Sequence, residues 1–119
     1  MTEALLKAVE LFNGGRFAEF QDALDAMTST TRASSERQFY TVLKNVAEAL
    51  LQLGDGDVHD AETILRSAHR KLEEFLPRFR ELNVAALRED IQHLVGELRA
   101  EGGGEVAPSR LPRLRVLPT

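Results

Sequence analysis

Apolar side chains recur every three or four residues through most of the first 100 positions, which is the spacing of an amphipathic helix. Glycine, proline and runs of small polar residues interrupt this spacing at intervals. No stretch alternates apolar and polar residues over more than a few positions, so no β-strand is predicted. The spacing predicts an all-α compact bundle of about five helices, over residues 2–13, 16–28, 35–53, 58–75 and 84–99.

Side chains that favour helix starts precede three of these helices. Ser34 or Ser35 is predicted to cap the third helix, Asp57 the fourth and Asn83 the fifth. The apolar faces predict one hydrophobic core, formed by Leu5, Val9, Phe12, Phe17, Phe20, Leu24, Phe39, Leu43, Val46, Leu50, Ile64, Leu65, Leu72, Leu87, Ile91 and Leu94.

Three consecutive glycines at residues 102–104 mark the end of the helical body, because their backbone entropy opposes a helix. The predicted organisation is a helical bundle domain over residues 1–100 and a Gly/Pro/Arg-rich tail over residues 101–119. The body carries a formal net charge of −5 and the tail one of +1.

Three prolines forbid a helix in this extended C-terminal tail, which also carries Arg110, Arg113 and Arg115. Three interpretations remain open. The tail is a disordered end, an arm for nucleic acid, or an extended strap. As a strap, it would dock its leucines, at positions 111, 114 and 117, on the acidic body or on a neighbouring subunit.

Composition excludes several classes of protein. The chain has no cysteine, so it contains no disulfide and no thiolate metal site. No apolar run approaches the roughly 18 residues of a membrane-spanning helix, and the first ten residues do not resemble a signal peptide. A net charge of −4 gives no general attraction to nucleic acid or to an anionic membrane. We therefore expect a cytoplasmic protein with no membrane partner and no nucleic-acid partner.

Motifs for catalysis and cofactor binding are missing from the sequence. It contains no nucleophile elbow, phosphate-binding loop, dinucleotide fingerprint or zinc-binding helix. The three histidines, His59, His69 and His93, are too scattered to suggest one metal site and are predicted to be exposed to solvent. The sequence therefore predicts no catalytic residue, no cofactor and no metal.

A resemblance to a known family rests on three segments. These are Gly-Arg-Phe-Ala-Glu-Phe-Gln-Asp-Ala-Leu-Asp at residues 15–25, Glu-Arg-Gln-Phe-Tyr at 36–40 and Leu-Asn-Val-Ala-Ala-Leu at 82–87. Over about residues 4–98 the chain resembles the bacterial and archaeal domain of unknown function family 309, as a divergent member. The resemblance implies a small all-helical bundle. It also implies a second-helix motif, His-x-x-x-Glu-x-x-Trp or Tyr, which is proposed to bind metal in that family.

The family's motif falls on Gln21, Asp25 and Thr28 in this chain, and none of the three matches it. His and Glu four residues apart share one helix face and can reach one ion. Gln21 offers only a neutral oxygen, and Asp25 is one methylene shorter than Glu. Since Thr28 also removes the aromatic side chain, we predict that this metal site is absent.

The third helix carries a polar stripe, formed by Thr41, Lys44, Asn45, Glu48 and Gln52. The stripe is either a solvated face or a face packed against the second helix. In the second case, Lys44, Asn45 and Glu48 form a polar patch opposite Gln21 and Asp25. Because a buried charge requires a partner, that alternative predicts an ion pair between Asp25 and Lys44.

Two classes of function follow from these observations. The sequence favours a non-catalytic interaction or structural module, acting as a homo-oligomer or bound to a protein partner. The alternative is a metal- or ligand-dependent enzyme with a re-engineered site around Asp25, Lys44 and Glu48. That alternative requires the three side chains to converge in a cleft.

Overall fold

The structure is a computed structural model that describes residues 2–101 and 111–118. Its helices are α1 (Glu3–Asn13), α2 (Phe17–Thr30), α3 (Ser34–Gly54), α4 (Val58–Lys71) and α5 (Val84–Glu101). A 3-10 turn, Leu72–Phe75, continues α4, and strands β1 (Arg78–Phe79) and β2 (Leu82–Asn83) form an antiparallel hairpin. The all-α prediction is confirmed. The prediction of no strand misses this hairpin, because two-residue strands are too short to alternate visibly.

Each helix packs against the next one in the chain, so the body is built from helical hairpins. The helices enclose a single continuous core, and α3 contributes the most buried residues to it. Every predicted core residue is buried except Ile64, which is partly buried against the core. Within the described residues, no helix has both the length and the apolar character that crossing a bilayer requires.

Two of the helix-to-helix turns use the same glycine motif. Gly15 after α1 and Gly56 after α3 both adopt positive φ, at 78° and 90°. In each turn the residue after the glycine donates its N–H to a carbonyl five residues earlier, Arg16 to Leu11 and Asp57 to Gln52. This is the Schellman arrangement, and it requires a residue that tolerates a left-handed backbone.

The predicted helix caps are only partly correct. The Oδ1 atom of Asn83 accepts the Ala86 N–H at 3.0 Å, which confirms the cap of α5. Asp57 precedes α4 but accepts no capping hydrogen bond, because its ψ of 66° is outside the extended region that caps prefer. Helix α3 begins at Ser34 with Ala33 before it, so the capping role predicted for Ser34 or Ser35 is wrong.

Residues 111–118, called the C-terminal segment below, lie against the chain's own body beside the β-hairpin. Leu82 and Val116 form an antiparallel bridge, with Asn83 N–H donated to Arg115 O and Leu117 N–H donated to Glu81 O. Leu114 is buried in the core and Leu111 packs partly against it. The described part of the tail is therefore an extended strap. The predicted boundary at residues 102–104 and Arg110 lie outside the described residues.

Candidate functional site

Part of the polar stripe of α3 lies against α2. It forms a contact that we call the α2–α3 polar contact (Gln21, Asp25, Lys44, Glu48 and Gln52). Gln21 Nε2 donates to Lys44 O and to Glu48 Oε1, both at 3.2 Å. Lys44 Nζ lies 2.5 Å from Asp25 Oδ1, which is the ion pair that packing of this stripe on α2 predicts. Helix-face spacing thus brings the two pairs of residues, each four apart in sequence, to one place.

The ion pair between Lys44 and Asp25 is partly exposed to solvent, which limits its contribution to stability. The Lys44 side chain is 29% exposed and that of Asp25 is 59% exposed. A pair this close to solvent contributes at most about 1 kcal/mol. The ion pair therefore adds little to the stability of the bundle.

The other two predicted residues do not join this contact. Thr28 Oγ1 donates to Leu24 O at 2.7 Å, inside its own helix. Asn45 is half-buried on α3 and makes no hydrogen bond to α2 in the part of the chain that the structure describes. The structure therefore brings Gln21, Asp25, Lys44 and Glu48 together and leaves Thr28 and Asn45 apart from them.

The α2–α3 polar contact is largely closed on itself. Glu48 accepts the Gln21 hydrogen bond on Oε1. Its other oxygen, Oε2, accepts from Gln52 Nε2 at 3.4 Å. Gln52 Oε1 is buried there without a hydrogen-bond donor in the described chain. Across residues 2–101 and 111–118, no three His, Cys, Asp or Glu side chains are grouped to hold a metal ion.

The histidines lie in different surroundings. His59 and His93 are exposed, as predicted, but His69 is half-buried. Burial lowers the pKa of His69 below its ordinary value, and the nearby Arg88 lowers it further. Arg88 Nε also donates to the His69 carbonyl at 3.0 Å.

A cleft of about 480 Å³ opens between α3 and the end of α4. Val42 and Phe75 form its apolar floor, and Arg37 and Lys71 are among its polar lining residues. Asp25, Lys44 and Glu48 are not among the residues that line this cleft.

Side chains of the body form hydrogen bonds with the backbone of the C-terminal segment. Asn13, the last residue of α1, donates from Nδ2 to Leu114 O at 2.9 Å. The same side chain accepts the Leu114 N–H on Oδ1 at 2.8 Å. A primary amide matches the donor and acceptor of one peptide unit, so this pair of bonds holds main chain whatever the side chain.

Asp90 on α5 provides a second attachment. Its Oδ2 atom accepts the Arg113 N–H at 3.2 Å and an Arg115 Nη1 hydrogen at 2.9 Å. The Asp90 side chain is 21% exposed, whereas that of Arg115 is 48% exposed. One carboxylate thus contacts both a backbone donor and a guanidinium of the segment.

Sequence patterns alone do not identify Asn13, Glu81 or Asp90 as contact residues. Asn13 precedes two glycines and suggests only the end of a helix. Its partner Leu114 is 101 positions away in sequence. The sequence feature that points to this contact is the pattern of leucines and arginines in the tail, which predicts a docked strap.

A second polar cluster links the hairpin to α3. Glu36 accepts from Thr31 Oγ1 at 2.6 Å and pairs with Arg80 at 2.7 Å. The hydrogen bond from Thr31 and the charge of Arg80 lower the pKa of Glu36 below its ordinary value, against an opposing effect of burial. Burial raises the pKa of Tyr40, and the neighbouring Glu36 carboxylate raises it further.

No protein-family model matches this chain, and no curated protein or solved structure matches it either. The resemblance to domain of unknown function family 309 therefore stays a prediction.

Proposed function

We propose that this chain is a non-catalytic interaction module, which binds a protein partner or another copy of itself. The observation that carries the proposal is the double hydrogen bond between the Asn13 side chain and the Leu114 backbone. It is supported by strand pairing between Leu82 and Val116. Binding of an extended segment at a sheet edge is a common mode of peptide recognition.

The α2–α3 polar contact supports the same proposal. Asp25, Lys44 and Glu48 bind residues of the neighbouring helix, and they do not line the cleft between α3 and α4. The enzyme alternative needs these three side chains to face a substrate. Their engagement with each other and with Gln21 favours a structural role, in a divergent member of the family that the sequence resembles.

Charge favours a protein partner over a polyanion. The body over residues 1–100 has a formal net charge of −5, so it does not attract nucleic acid or anionic lipid in general. We propose a cytoplasmic location with a protein partner or a second copy of this chain, and with no nucleic-acid partner and no membrane partner.

Native mass spectrometry of the protein isolated gently from its own cells tests this proposal. We expect a metal-free oligomer or a complex with a co-purifying protein. A monomer that carries a stoichiometric metal or small ligand would contradict the proposal. So would a monomer without any partner.

A further inference from the structure

We propose that the groove formed by Asn13, residues 81–83 and Asp90 is a recognition site for an extended apolar and basic segment of a partner protein. The C-terminal segment occupies this groove and acts as its built-in competitor. The inference rests on the proposed function and specifies which surface binds and which peptide chemistry it selects.

The groove bonds the main chain of four of the five residues 113–117. Asp90 accepts from the backbone of residue 113, and Asn13 bonds both backbone groups of residue 114. The hairpin strand then bonds the carbonyl of residue 115 and the N–H of residue 117. These bonds need an extended backbone and set no requirement on most side chains, so a segment of another protein can make all of them.

Side-chain selection is confined to a few positions. Leu114 is 4% exposed and Pro112 is also buried, so these positions require an apolar residue. Arg115 contacts Asp90, so a basic residue is favoured directly after the leucine. Arg113 is exposed, and Val116 is 43% exposed. Leu111 and Leu117 are half-buried, so apolar residues are favoured there as well. The groove therefore fits a segment of the form Leu-Pro-x-Leu-Arg-x-Leu in an extended conformation.

The resident segment supplies only a small part of the hydrophobic core. Of the segment's apolar side chains, those of Leu114 and Pro112 are buried and those of Leu111 and Leu117 are half-buried. The rest of the core comes from the helices, the 3-10 turn and the hairpin. Vacating the groove would uncover Leu82, which is 2% exposed while the segment is bound. An open groove therefore presents an apolar surface and an unpaired strand edge, and both favour another occupant.

The covalent connection sets the strength of the competition. A segment joined to the body by a short linker is present at an effective concentration of about millimolar. A free peptide with the same contacts is therefore excluded until it approaches that concentration. A partner succeeds by binding more tightly, for example through contacts beyond the exposed Val116.

The test is a titration of a fluorescein-labelled peptide, Arg-Leu-Pro-Arg-Leu-Arg-Val-Leu-Pro-Thr, whose sequence is that of residues 110–119. The protein is the full chain, either unchanged or carrying Leu114→Asp to release its own segment. We expect the released protein to bind the peptide at least about 10-fold more tightly than the unchanged chain does. Asn13→Ala in the released protein should weaken binding by about 10-fold or more. A peptide with the same Leu114→Asp change should not bind.

A second form of the protein keeps the test valid if Leu114→Asp disturbs folding. A protease site replaces residues 102–104, and cleavage makes the unchanged segment exchangeable. The labelled peptide should then replace the native segment in the cleaved protein.

Failure of the labelled peptide to bind either the helical Leu114→Asp protein or the cleaved protein would overturn the inference. A wild-type dimer with exchanged segments would also overturn it, because the external occupant would then be a second copy of this chain. If the peptide does not bind but native mass spectrometry finds a partner, the partner uses another surface. In that case this inference fails and the proposed function stands.

Discussion

Asn13 and Leu114 are 101 positions apart in the chain, yet one side-chain amide holds both backbone groups of the leucine, at 2.9 and 2.8 Å. The amide belongs to the last residue of α1, and the leucine belongs to the C-terminal segment. These two hydrogen bonds are directed at main chain, so an extended segment of another polypeptide can also make them. For this reason, the proposed function rests on this pair of residues and not on the degenerate metal motif.

The ion pair between Asp25 and Lys44 is predicted to be weak. Both side chains keep contact with water, so a double-mutant cycle with Asp25→Ala and Lys44→Ala should give a coupling of at most about 1 kcal/mol. Urea unfolding of the four proteins measures this coupling. A coupling above roughly 2 kcal/mol, the range of a desolvated pair, would contradict a structural role at the surface.

Two glycines should respond to alanine in opposite directions. Gly15 has a φ of 78° and open space within 4 Å of the place that an alanine Cβ would take, so Gly15→Ala should cost about 1 kcal/mol through backbone strain alone. Gly96 lies inside α5, with equally open space and without a positive φ. Gly96→Ala should therefore raise the free energy of unfolding by roughly 0.5–1 kcal/mol. Thermal unfolding measures both effects. Equal shifts in Tm would contradict the assigned turn geometry.

Glu36 should make folding stability depend on pH in the acid range. Its pKa is lower in the folded protein than its ordinary value of 4.5, chiefly through the Thr31 hydrogen bond. The stabilisation is therefore present above about pH 5 and is lost as the pH falls through the folded pKa. Urea midpoints of wild type and Glu36→Gln should differ at about pH 6, and the difference should shrink as the pH falls through the folded pKa, with Thr31→Ala reducing it. A constant difference across this range would contradict the prediction.

Arg80 adopts a positive φ of 54° in the hairpin turn, where glycine is the usual residue. Arg80→Gly and Arg80→Ala both remove the ion pair with Glu36, but only glycine also removes the left-handed strain. We expect the glycine variant to be about 1 kcal/mol more stable than the alanine variant. Chemical denaturation of the two variants makes the comparison. An alanine variant of equal or greater stability would show that the turn does not strain residue 80.

Helical spacing allowed much of the fold and part of the candidate site to be predicted. The period of three to four residues identified the core, because the buried face depends on local helix geometry. The same spacing left the pairing of Lys44 with Asp25 as one of two alternatives, and the structure shows that pairing. The hairpin could not be predicted, because its strands are two residues long and Arg80 occupies a turn position where glycine would have been informative. The Asn13 contact depends on how the whole chain folds back, and a periodic pattern carries no such information.

Amide hydrogen exchange by NMR on the full chain tests the central claim most directly. The Leu114 and Leu117 N–H groups donate to Asn13 and Glu81, whereas the Val116 N–H has no acceptor in the described chain. We predict slow exchange at residues 114 and 117 and fast exchange at 116, with Asn13→Ala removing the protection at 114. Exchange at free-peptide rates at all three amides of the unchanged protein would contradict the claim that the body binds extended polypeptide.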